Sequence, residues 1–125
     1  MNPSSHARTL LIVEDNKDVR NIFAEVFQGV GYHVIEAGNG EEALALMAHE
    51  HTAVSVVLTD LRMPVMDGLE LATRIKGDER FSAIPVVLLS ATPMSNSWQA
   101  LEVFSALLTK PCSFEHLLST IESVQ

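Results

Sequence analysis

Leu10-Leu11-Ile12-Val13-Glu14-Asp15 is the stretch that decides the fold: an unbroken apolar run that closes on two carboxylates. Such a run suits a strand covered on both faces, as in a parallel sheet, because a strand with one wet face alternates instead. The pattern recurs downstream. Val54-Ser55-Val56-Val57-Leu58-Thr59 closes on Asp60, Pro85-Val86-Val87-Leu88-Leu89 on Ser90, and Ala106-Leu107-Leu108-Thr109 on Lys110-Pro111. His33-Val34-Ile35-Glu36-Ala37 reads as one more strand.

Between the strands the hydrophobic period changes to that of a helix. Val19, Ile22, Phe23, Val26 and Phe27 recur at helical spacing, and Gly29 and Gly31 end that segment. Asn39-Gly40-Glu41-Glu42 opens a second helix with Ala43, Leu44 and Met47 on its apolar face. Acids in its first turn suit the helix dipole. A turn-rich stretch, Arg62 to Gly68, leads into a third helix carrying Leu69, Ala72 and Ile75. A fourth is expected from near Ser95 or Ser97 to about Val103, with Trp98 and Leu101 on it. The last is capped by Ser113 and carries Leu117, Leu118 and Ile121. Strands separated by helix-length crossovers imply an α/β fold: a doubly wound, five-stranded parallel sheet with helices on both faces. One domain is expected over residues 9–125, behind a short tail of residues 1–8.

Composition narrows the function. Eight basic against sixteen acidic residues give a net charge of −8. Nucleic acid and anionic membrane surfaces repel such a domain, so neither is expected as a partner. Metal cations and basic protein surfaces fit better. Cys112 is the single cysteine, which excludes a disulfide framework. There is no signal-peptide segment and no apolar run of membrane-spanning length, so a soluble, cytoplasmic protein is expected.

In an open parallel sheet the carboxyl ends of the strands share one edge, where ligands bind. Glu14, Asp15, Asp60, Ser90 and Lys110 should therefore meet there. Three carboxylates without His or Cys make a hard oxygen site that favours Mg²⁺. A lysine beside it suits a phosphoryl oxygen, and a serine hydroxyl can donate to another. A carboxylate can itself act as nucleophile and become an aspartyl phosphate. Taken singly each residue has a duller reading: Glu14-Asp15 as a helix cap, Asp60 as a turn residue, Ser90 and Lys110 as loop residues. Their joint placement argues for a site. His6, His33, His49, His51 and His116 form no motif, and Cys112 reads as an ordinary small residue.

The residues resemble the response-regulator receiver family. The resemblance rests on Leu11-Ile12-Val13-Glu14-Asp15-Asn16, Leu58-Thr59-Asp60-Leu61-Arg62-Met63-Pro64-Val65-Met66-Asp67-Gly68, Val87-Leu88-Leu89-Ser90-Ala91 and Lys110-Pro111, and runs from about Thr9 to Val124. It implies a flavodoxin-like sheet of order 2-1-3-4-5. It implies that Asp60 is the phosphoacceptor and a metal ligand. Asp15 would be a direct Mg²⁺ ligand, Glu14 an assistant through water, and the Arg62 main-chain carbonyl a further ligand. Ser90 would be the switch hydroxyl, Lys110 the lysine that pairs with Asp60 and then with phosphate, and Lys110-Pro111 a cis peptide. The implied phosphodonor is a histidine kinase or histidine phosphotransfer protein, and the output is a protein partner or an attached domain. A monomer or a phosphorylation-dependent dimer is expected, and no enzyme activity beyond the chain's own phosphoryl transfer and dephosphorylation.

Two departures stand out. The family usually carries Tyr or Phe three residues before the lysine, where this chain has Leu107, the second switch position. The usual Gly-Ala ahead of the fifth strand is replaced by Val103-Phe104-Ser105. Phe104 is expected to be core rather than a substitute for the missing ring. Two other functions are weighed. One is a phosphate-independent interaction module. The other is a Mg²⁺-dependent phosphohydrolase, for which Arg62 stands where a second acid is needed. The chain reads as a single-domain regulator or an N-terminal receiver.

Overall fold

The computed structural model describes residues 8–49, 53–91 and 97–125, with nothing given for the side chains of 97–99. Residues 1–7 of the expected tail, with His6 among them, and His51, a helix start at Ser95 and the Trp98 side chain lie outside the described residues.

Strands and helices alternate along the chain: β1 (Thr9–Val13), α1 (Lys17–Gly29), β2 (His33–Ala37), α2 (Gly40–Ala48), β3 (Val56–Thr59), α3 (Gly68–Lys76), β4 (Val86–Ser90), α4 (Ser97–Val103), β5 (Ala106–Thr109) and α5 (Phe114–Ser123). All pairings are parallel, in the order β2-β1-β3-β4-β5. The expected class and strand order are both found. The third strand starts at Val56 rather than Val54: the Ser55 amide still donates to the Thr9 carbonyl of β1, but the Thr9 amide is taken by the Ser55 hydroxyl instead of a main-chain carbonyl, so the ladder stops there.

Side chains of a strand alternate between faces; both faces of β1, β3 and β4 are covered, whereas β5, expected to be covered like them, is an edge strand with Leu107 and Thr109 exposed. Leu11 and Val13 of β1 join Val57, Leu88, Ala43, Met47, Leu71, Ile75 and Phe104 in one core, under α2, α3 and α4. Leu10 and Ile12 join Leu58, Leu89, Phe27, Leu117 and Ile121 in the other, under α1 and α5. Each fully buried Leu, Ile or Phe contributes about 1.5–3 kcal/mol by leaving water. Phe27 centres the second core, with Tyr32 edge-on at 5.7 Å and Phe114 at 5.1 Å.

Helix starts are set by side-chain caps. Asn16, Asn39, Asp67 and Ser113 each accept from the amide three residues on, worth about 1 kcal/mol apiece. Because Asn16 caps α1, Asp15 is left to the strand-end loop, against the capping alternative.

The expected α1 face needs correction. Ala24 and Phe27 are buried, whereas Ile22 and Val26 are exposed. The apolar pattern spans more arc than the sheet can cover, and the packed arc is centred on Ala24 instead. In α3, Leu71 joins Ala72 and Ile75 in the buried set, while Leu69 is only partly covered.

Candidate functional site

The ends of β1 and β3 bring the acids together. Glu14 continues β1, its amide donating to the Ala37 carbonyl at 3.0 Å, and Asp60 continues β3, its amide donating to the Val13 carbonyl at 3.1 Å. Carboxylate oxygens of Glu14, Asp15 and Asp60 all lie within 4.8 Å of one another. Glu14 is buried and Asp15 exposed.

Lys110 arrives from the end of β5. Its Nζ stands 3.3 Å from Asp60 Oδ2 and 3.6 Å from Glu14 Oε1. Its backbone amide donates to the Ser90 carbonyl at 2.9 Å, which ties the β5 end to the β4 end. The Lys110-Pro111 peptide is cis, as the resemblance implied. Ser90 is 4% exposed and pairs in register with Thr109. Thus Glu14, Asp15, Asp60 and Lys110 converge directly, and Ser90 sits on the adjoining strand end.

Leu107 is elsewhere. It lies on edge strand β5 in register with Leu88, 37% exposed. Phe104 is buried at the end of α4 and belongs to the core under α2, α3 and α4, in line with its expected core role. Arg62 is exposed in the loop after β3. Cys112 is partly buried against the core under α1 and α5.

The electrostatics are those of a crowded anion cluster. Burial holds the Glu14 carboxyl above the ordinary carboxylate range. The neighbouring Asp15 and Asp60 push the same way, while the Asn16 amide and the Lys110 ammonium pull against them. One lysine does not balance three carboxylates, so a divalent cation fits the charge left over. The all-oxygen donor set suits a hard cation such as Mg²⁺. Glu14, Asp15 and Asp60 fit such an ion.

Several contacts around Asp60 were not legible in the sequence, even where, as at Gly68, the residue itself belongs to the quoted motif. The Leu61 amide donates to Asp60 Oδ1 at 2.7 Å. The Thr59 hydroxyl donates to the Asp60 carbonyl at 2.8 Å. Gly68 starts α3 directly over Asp60, with its amide donating to the Leu61 carbonyl at 2.8 Å. A Cβ there would collide with the Asp60 carbonyl, so only glycine lets α3 begin so close. A concavity of about 700 Å³ lined by Leu44, Arg74, Gly77, Asp78 and Phe81 lies beyond the α3 C-terminus. It is at the other edge of the sheet and is not connected with these carboxylates.

Known proteins place the same architecture in context. The response regulator receiver domain family matches residues 10–122. The chain is 32% identical over 118 residues to the polar-differentiation response regulator DivK of Brucella anthropi, covering 93% of this chain and 94% of that one. Among solved structures, Vibrio cholerae chemotaxis protein CheY4 superposes with a TM-score of 0.85 at 27% identity, covering 95% of this chain and 99% of that one. The response regulator TrrA of Thermotoga maritima, solved in complex with Mg²⁺-BeF, gives 0.82 at 26% identity, covering 94% and 99%. With the family match spanning nearly the whole chain and both cores and all five strands in place, this chain belongs to the response regulator receiver domain family.

Proposed function

We propose that the chain is a signalling switch operated by Mg²⁺-dependent phosphorylation of Asp60. The observation that carries the reading is the convergence of Glu14, Asp15 and Asp60 within 4.8 Å, with Lys110 Nζ at 3.3 Å from the Asp60 carboxylate.

Asp60 is the nucleophile. Its carboxylate attacks the phosphorus of a phosphohistidine on a sensor kinase or histidine phosphotransfer protein. The phosphorus–oxygen bond forms as the phosphorus–nitrogen bond breaks, and the imidazole leaves with the electron pair. Oδ1 accepts from the Leu61 amide and Oδ2 is paired with Lys110, so the carboxylate is held in one orientation before attack. Positioning and charge neutralisation are most of what phosphoryl transfer requires. Asp15, Asp60, Glu14 and the Arg62 main-chain carbonyl are the residues that hold Mg²⁺. When bound, Mg²⁺ supplies positive charge to the phosphoryl oxygens. Lys110 neutralises a further oxygen and Ser90 donates its hydroxyl to another.

Phosphorylation adds about two negative charges and biases an equilibrium between two states of the domain. Ser90 is the site end of that switch, and Leu107 occupies the position from which the output face reads it. With no ring to exchange between pockets, Leu107 transmits a smaller change to a downstream partner or output domain than an aromatic would. The function is signalling rather than turnover of a substrate.

Intact-mass spectrometry after incubation with acetyl phosphate tests the assignment. A Mg²⁺-dependent, base-labile phosphate adduct on wild type and none on Asp60→Asn is expected. Equal labelling of Asp60→Asn refutes the phosphoacceptor. No adduct together with no beryllofluoride binding points instead to the phosphate-independent module, and steady hydrolysis of phosphomonoesters to a phosphohydrolase.

A further inference from the structure

Arg20, in the first turn of α1, is a charged residue that the chemistry above does not use. It is only 18% exposed at its side chain, low for an arginine on a helix surface. Its Nη1 donates to the Glu14 main-chain carbonyl at 2.8 Å, and its Nε donates to Glu36 Oε1 at 3.3 Å. Gly38 lies alongside, where a Cβ would stand 3.4 Å from Nη1. The Glu14 peptide units are therefore gripped from two sides: by β2 through the Ala37 carbonyl at 3.0 Å, and by α1 through this guanidinium. The carbonyl that Arg20 holds belongs to the peptide joining Glu14 to Asp15.

We infer that Arg20 is a positioning residue for the metal site, fixing the Glu14-Asp15 peptide so that both carboxylates point at one cation. This rests on the reading of Glu14, Asp15 and Asp60 as a Mg²⁺ site. Groups behind metal ligands orient them, and losing one typically weakens metal binding about 10–100-fold. The sign of the effect is diagnostic. A guanidinium near a cation site repels the cation, so as a bare charge Arg20 opposes Mg²⁺, and its removal would tighten binding. As a brace it does the reverse. Glu36 supports the brace by orienting the guanidinium and offsetting its charge. Lysine cannot replace it, because one ammonium on a flexible stem does not bridge the carbonyl and the carboxylate as a planar fork does.

The test is Mg²⁺ titration of the whole chain by calorimetry, with backbone amide shifts of Asp15 followed by NMR and thermal melting recorded without metal. Arg20→Gln is expected to bind Mg²⁺ about tenfold more weakly, and Arg20→Lys not to recover wild-type affinity. Glu36→Gln should lose less than Arg20→Gln, and the double variant should be no weaker than Arg20→Gln, since the two residues act as a unit. Unchanged or tighter Mg²⁺ binding in Arg20→Gln overturns the inference, as does full recovery by lysine. Should Arg20→Gln fail to fold, Arg20→Lys and Glu36→Gln decide: wild-type affinity in both overturns it. Wild type that binds no Mg²⁺ refutes the functional reading itself, a result distinct from wild type and variant binding equally well.

Discussion

Glu14→Gln keeps the shape of a buried side chain and removes one of three crowded negative charges. Glu14 is 5% exposed, its carboxylate lies within 4.8 Å of those of Asp15 and Asp60, and Lys110 stands 3.6 Å away. Burial is the largest penalty on the ionised carboxyl, and at an effective dielectric of about 20 the two like-charge pairs within 4.8 Å together cost more than the lysine at 3.6 Å returns. Asp15 is exposed and solvent screens it, so the remaining penalty on the ionised Glu14 is on the order of 1–2 kcal/mol. The metal-free variant should be more stable than wild type by about that much in urea unfolding, with the slope unchanged. Mg²⁺ should act in the opposite direction, because a ligand that binds only the folded state stabilises in proportion to its affinity. The variant should gain less stability from Mg²⁺ than wild type at every concentration. The pH dependence has a definite sign. Burial raises the Glu14 carboxyl above its ordinary value of 4.5, so between that value and the raised one the folded state binds more protons than the unfolded state. Wild-type stability without metal should therefore rise as pH falls from neutral through that window, while Mg²⁺ affinity falls with it. Glu14→Gln should lack this component. A metal-free variant less stable than wild type by 1 kcal/mol or more, with undiminished Mg²⁺ stabilisation, would refute the reasoning.

Val65 bears a different kind of cost. Its φ is +73°, and the Met66 amide donates to the Pro64 carbonyl at 2.8 Å across it. That is a γ-turn centred on a β-branched residue, a strained arrangement. Since Val65 is 72% exposed, Val65→Asn sacrifices little packing and should raise stability by about 1 kcal/mol, seen as a higher melting temperature; a lower one would count against the strain. Lys110→Ala should retain the Asp60 adduct from acetyl phosphate at a reduced rate while losing the amide-shift changes on β5 and α5 that beryllofluoride induces in wild type. Intact shift changes in that variant would show that the lysine does not couple the site to the output face.

Much of the fold could be read in advance because burial on both faces of a parallel sheet forces apolar runs, and those runs are visible at β1, β3 and β4; β5 carries a similar run but is an edge strand whose Leu107 and Thr109 are exposed. The polar residue that closes each run then marks the edge where a ligand can bind. This is why Glu14, Asp15, Asp60, Ser90 and Lys110 could be named from where they close the strands and from their residue types. The Asp60-to-Gly68 motif singled out the family for the same reason: a loop that returns α3 onto the Asp60 carbonyl tolerates few sequences.

The limits were equally physical. Which arc of α1 is buried depends on how far the sheet extends beneath it, and Ile22 and Val26 turned out to face solvent although their spacing matched a core stripe. Leu69 and Leu71 are both apolar, and the direction of the β3–α3 loop selects Leu71. Nothing in the local sequence marks Arg20. Its acceptors are the Glu14 carbonyl, six residues earlier, and the Glu36 carboxylate on β2, sixteen residues later. The sequence by itself determined the elements, their order and the chemistry at the strand ends, because those follow from local periodicity and residue type. Helix rotation, the separation of the carboxylates and the partner of each buried polar group were decided by tertiary structure, because they depend on the relative placement of segments that share no local signal.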